Sequence, residues 1–76
     1  PNIRKPPEAD RLTFDDLRRR PGRAVFPSDL AGLGLFHSYS ALERAWKSGK
    51  LARPRRRPSG RPYWEGREIL AMHDAA

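Results

Sequence analysis

Ser28-Asp29-Leu30-Ala31-Gly32-Leu33-Gly34-Leu35-Phe36-His37-Ser38-Tyr39-Ser40-Ala41-Leu42-Glu43-Arg44-Ala45-Trp46-Lys47-Ser48-Gly49 carries two helical signals on either side of a glycine. Ser28 is placed to cap the first, with Val25-Phe26 as an extended apolar lead-in and Gly34 to end or turn it. Two glycines in so short a span weaken that helix intrinsically, so packing through Leu30 and Leu33 must hold it. The second signal is stronger. Over residues 39–48, Tyr39, Leu42, Ala45, Trp46 and Gly49 recur at helical spacing, while Glu43, Arg44, Lys47 and Ser48 take the other side. Ser40 with Glu43 makes a capping box, and Ser38 is an equally good cap one half-turn earlier. Gly49 suits a left-handed helix stop, with Leu51 placed to close an apolar contact behind it.

Upstream, Leu12-Thr13-Phe14-Asp15-Asp16-Leu17 is a compact helix start, with Thr13 as cap, Asp16 as its box partner, and Leu12 and Leu17 at the two staple positions. Pro21-Gly22 stops it, and a helix this short needs Phe14 and Leu17 to dock on the rest. Residues 1–11, with three prolines and one large aliphatic side chain, read as a flexible tail. Downstream, 51–53 and 61–64 are short extended segments around Pro58-Ser59-Gly60, and Pro54 and Pro62 restrict them to an edge-like ribbon. A last helix over 66–73 offers Ile69, Leu70 and Met72. The expected fold over 12–76 is mainly α with a small two-stranded β-hairpin, a winged helix-turn-helix, its core around Leu30, Leu42, Trp46 and Trp64.

Charge is concentrated. Of the formal +7, residues 1–43 carry +1, residues 44–61 carry eight Lys/Arg and no acid, and residues 62–76 carry −2. A block of that kind raises the local potential where a polyanion would dock. The chain has no cysteine, and His37 and His73 stand too far apart to define a metal motif, so neither a metal nor a cofactor is expected. Helix capping accounts for Asp15-Asp16, and Ser59-Gly60 lacks the loop and lysine of a phosphate-binding NTPase; the chain does not read as an enzyme. Apolar runs are too short for a bilayer span, so a cytoplasmic or nucleoid-associated location without a membrane partner is the expectation.

The expected partner is double-stranded DNA. In a helix-turn-helix the second helix enters the major groove with its N-terminal part towards the bases. That puts Ser38, Ser40 and above all Arg44, whose fork matches a guanine edge, at the bases, and Lys47 and Lys50 at phosphates. Arg53, Arg55, Arg56, Arg57 and Arg61 on the wing suit the backbone or a minor groove. Alternating arginines and aromatics also allow a single-stranded RNA or ribosome-associated module; there Trp46 reads as core, while Trp64 beside Tyr63 could be core or stacking platform.

Residues 25–74 resemble the small excisionase-like proteins related to the DNA-binding domains of MerR-type regulators. The resemblance rests on Ser28-Asp29-Leu30-Ala31, Leu33-Gly34, residues 39–46, Gly49-Lys50-Leu51, the basic 54–62 wing, Tyr63-Trp64 and Glu68-Ile69-Leu70. It implies major-groove reading by Ser38, Ser40, Arg44 and Lys47, with the wing arginines Arg55 to Arg57 and Arg61 on the adjacent backbone or minor groove. It also implies an excisionase-like architectural or recombination-directionality factor, with cooperative self-association on DNA and a recombinase or other protein partner. Small transcriptional regulators, plasmid partition proteins and terminase small subunits use similar domains. The chain departs from the pattern in a longer connection from Gly34 to Ser40 and in the segment 12–22, which precedes the usual first helix.

Overall fold

The computed structural model describes residues 2–75. Thr13 and Asp16 make the expected reciprocal cap: the Thr13 Oγ1 accepts from the Asp16 amide at 3.1 Å, and the Asp16 carboxylate accepts from the Thr13 amide at 2.9 Å. They open α1 (Phe14–Arg19), which turns its buried Leu17 inward beside the equally buried Leu12.

A strand pair follows where none was expected. β1 (Ala24–Val25) leads into α2 (Pro27–Gly32), which starts one residue before the expected Ser28 cap. Proline costs a helix nothing at its first position, and the Asp29 carboxylate accepts from the Phe26 amide at 3.0 Å, so no hydroxyl cap is required. After the Gly34 turn comes α3 (Tyr39–Lys47). Its cap is Ser38, whose hydroxyl oxygen accepts from the Ala41 amide at 3.2 Å. Gly49 ends it at φ +86°, with its own amide on the Trp46 carbonyl and the Leu51 amide on that of Ala45. Leu51 is buried, as the stop motif requires.

The sheet has three strands rather than two. β2 (Arg55–Arg56) and β1 flank β3 (Pro62–Glu65), both antiparallel, with Val25 opposite Trp64 and Arg55 opposite Tyr63. β2 lies beyond the 51–53 segment expected to be extended, because Leu51 is taken by the end of α3 and the Ala52 carbonyl by the Trp64 indole N–H at 2.7 Å. Trp64 is 1% exposed and belongs to the core with Leu17, Val25, Leu30, Leu42 and Ile69, whereas Trp46 is only half-buried at its margin. Burying side chains of this size contributes about 1.5–3 kcal/mol each, which a chain this short needs.

α4 (Gly66–Asp74) closes the domain against α1. Phe14 stacks on His73 with ring centroids 4.1 Å apart, and Arg18 pairs with Asp74 at 3.5 Å. A Cβ on Gly66 would stand 3.3 Å from the Arg20 carbonyl oxygen and from Leu17 Cδ2, so any larger residue there would press the start of α4 against the end of α1 by a few tenths of an ångström. Within residues 1–11, expected as a flexible tail, the described part is attached at points while staying mostly exposed: Ile3 is buried, Asn2 bridges to Ser38, and Glu8–Asp10 form an exposed 3-10 turn. The described residues therefore form four α-helices and one 3-10 turn with a small three-stranded antiparallel sheet. Among the described residues no helix is long and apolar enough to cross a membrane.

Candidate nucleic-acid interface

The polar side of α3 presents Ser40, Glu43, Arg44 and Lys47 around one shallow open depression. Glu43 and Lys47 stand one turn apart and form an ion pair, and Arg44 on the same side has no acidic partner among the described residues. Ser38 and Ser40 separate in role: Ser38 is half-buried with its oxygen engaged in capping, and Ser40 is exposed. Tyr39, assigned by spacing to the apolar face, is 49% exposed. It occupies the first turn, where the apolar stripe of α3 runs past the edge of the core.

Between α3 and the wing lies a narrow groove of about 130 Å³, bordered by Tyr39, Trp46, Pro54, Arg56 and Pro62 among others. The Arg53 guanidinium sits over the Trp46 ring, 5.8 Å from its centroid, so the half-exposed indole holds a cation in place.

The wing tip is closed by two backbone bonds, Arg57 amide to Arg61 carbonyl at 3.0 Å and Gly60 amide to Arg57 carbonyl at 2.7 Å. Arg56 donates from Nη1 to the Gly60 carbonyl at 3.0 Å. Arg57 and Arg61 lie over the ring of Phe26, 5.2 and 4.0 Å from its centroid, and Arg57 also over Tyr63. Phe26 thus orients two wing cations from the start of α2. Sequence reading had assigned it only to an extended lead-in; the signal available was an aromatic directly before the Pro27 helix start with no place in an apolar period.

Two expected contacts are placed differently. Arg55, though exposed, reaches across to α4, with Nε on Glu68 at 3.1 Å and a longer contact to Glu65, and the hydrogen bond and charge of Glu68, then the charge of Glu65, raise its pKa above the usual arginine value. Glu68 is held for this by accepting from the Glu65 amide at the start of α4. Arg55 therefore ties the wing to α4. Lys50 borders a separate cleft of about 170 Å³ with Leu35, Phe36, Met72 and His73, not the open face shared by Ser40, Arg44 and Lys47. Of the eight cations from 44 to 61, Lys47 and Arg55 are paired with acids; Arg44, Lys50, Arg53, Arg56, Arg57 and Arg61 are not, among the described residues.

Comparison of the chain with protein families, with curated proteins and with solved structures returns no match.

Proposed function

We propose that this chain is a winged helix-turn-helix module that binds duplex DNA, with α3 in a major groove and the β2–β3 loop along the adjoining backbone. The element order α1-β1-α2-α3-β2-β3, with β3 between β1 and β2, supports that reading of the fold. The observation that carries the functional reading is the series of cations without an acidic partner among the described residues that runs from Arg44 on α3 through Arg53 to Arg56, Arg57 and Arg61. Neutralising phosphates with such cations releases counterions, which makes binding steeply salt-dependent: contacts by Arg53, Arg56, Arg57 and Arg61 alone give a log–log slope of about 3.6.

Within the site the roles differ by geometry. Arg44 is exposed, has no acidic partner among the described residues and stands one turn into α3, which suits a bidentate guanine contact, and Ser40 adds a short donor and acceptor beside it. Arg56, Arg57 and Arg61 are restrained on a narrow ribbon, so they read backbone position and groove shape. By the resemblance of residues 25–74, the biological role we adopt is an excisionase-like architectural or recombination-directionality factor acting beside neighbours and a recombinase. A nucleoid or cytoplasmic location goes with it. Transcriptional regulation, partition or packaging is the alternative role for the same contact.

The exposed Tyr39 and the Arg53–Trp46 pair are what a single-stranded RNA reading would use. The burial of Trp64 withdraws the other platform that reading needed. Titrating labelled mixed-sequence duplex and single-stranded RNA in parallel at two salt concentrations separates the two: duplex binding that weakens steeply with salt supports the proposal, and equal or tighter RNA binding overturns it.

A further inference from the structure

The segment before α1 is a strap across the turn between α2 and α3. Ile3 buries its side chain, and its amide donates to the His37 carbonyl at 2.9 Å. Beside it Asn2 forms an antiparallel bridge with Ser38, the residue that caps α3. Further along, Pro6 and Arg11 lie against the end of α2: a Cβ built on Gly32 would meet the Pro6 ring at 3.4 Å and Arg11 Cγ at 3.2 Å. Arg11 Nε then donates to the Pro6 carbonyl at 3.0 Å. The strap is held at Ile3 and again at Pro6, and between those points stand Arg4 and Lys5.

Both side chains are exposed, and neither has an acidic partner among the described residues. The acids of the segment, Glu8 and Asp10, come after Pro7 in the 3-10 turn. Two cations are therefore carried on backbone anchored, through Asn2 and Ile3, to His37 and Ser38 at the entry to α3, the end that a helix-turn-helix directs into its groove. The phosphates that rim a groove flank a helix inserted in it, and they are the partners an Arg or Lys finds there. Anchoring through Ile3 and Pro6 removes much of the ordering cost that a free basic tail bears on binding.

We propose that Arg4 and Lys5 form a third DNA contact, gripping backbone phosphates next to the start of α3. This rests on the duplex-binding reading and adds a separate site to it. The test compares wild type, Arg4→Ala/Lys5→Ala and Arg20→Ala/Arg23→Ala on one labelled mixed-sequence duplex over a salt series. The last pair removes the same charge from a turn held against the start of α4 by the Gly66 and Arg67 amides. The strap variant should lower the salt slope by about 1.8, at about 0.9 for each of two lost phosphate contacts, and Arg4→Gln/Lys5→Gln should lower it equally. The Arg20/Arg23 variant should keep the wild-type slope. A strap variant with the wild-type slope, or the same drop in both pairs, overturns the strap's role alone; wild-type protein that binds no duplex in low salt removes the duplex reading and the strap's role together.

Discussion

The indole N–H of Trp64 donates to the carbonyl oxygen of Ala52 at 2.7 Å, joining the central strand to the chain that has just left α3. Trp64 also faces Val25 across the sheet and is almost wholly buried. One side chain thus sets the β2–β3 loop relative to α3 from inside the core, and the spacing of the DNA contacts proposed for those two elements depends on it.

Trp64→Phe should keep most of the packing but lose the bond to the carbonyl of exposed Ala52, which water can take over, at about 0.5–1.5 kcal/mol. Trp64→Ala should cost about 3–5 kcal/mol, a large share of what a domain this size has. Urea unfolding of both variants measures the difference.

Phe26→Ala removes no charge yet takes away the ring beneath Arg57 and Arg61, each contact worth about 0.5–1 kcal/mol at an exposed site. The Gly60 amide, bonded to Arg57 in the tip, should exchange faster with deuterium. Duplex affinity should fall several-fold with the salt slope unchanged, because the cations remain.

Arg44→Ala should relax sequence preference by about 1–3 kcal/mol against a preferred site obtained by selection from random duplexes. Arg56→Ala should weaken every duplex alike and lower the salt slope by about 0.9. If both variants weaken all duplexes equally, Arg44 does not read a base.

Asp16 titrates below the usual aspartate range because Thr13 bonds to its carboxylate, by the backbone N–H first and the side chain second, with Arg19 and Arg23 adding and slight burial opposing. A depressed folded-state pKa stabilises the fold above the ordinary aspartate value, and this is lost as pH falls through the depressed one. Asp16→Asn should therefore melt lower than wild type at neutral pH and together with it in strong acid. Thr13→Ala should cost about 1 kcal/mol and move the Asp16 carboxyl, followed by NMR titration, upward.

Local rules in the sequence were enough for α1, the stop at Gly49 and the span of α3, since capping boxes and left-handed glycines act within a few residues. The lead-in at Val25 reads as extended, but its pairing was not legible: Ala24 and Val25 have no period, and they form a strand only because Trp64 and Glu65 lie opposite. The two tryptophans show the same limit, for helical spacing put Trp46 in the core while a bond to a distant carbonyl decided Trp64. At the site, the charge block was visible, but which cations stay free was not. Glu68 claims Arg55 from thirteen residues away, and nothing near Arg55 announces it.

The most direct measurement is a titration of labelled mixed-sequence duplex DNA across a range of salt, with single-stranded RNA alongside. Tighter binding to the duplex, with log affinity falling against log salt at a slope of at least about 3.6, is the predicted result. Absence of duplex binding in low salt, or RNA bound as tightly, would contradict it.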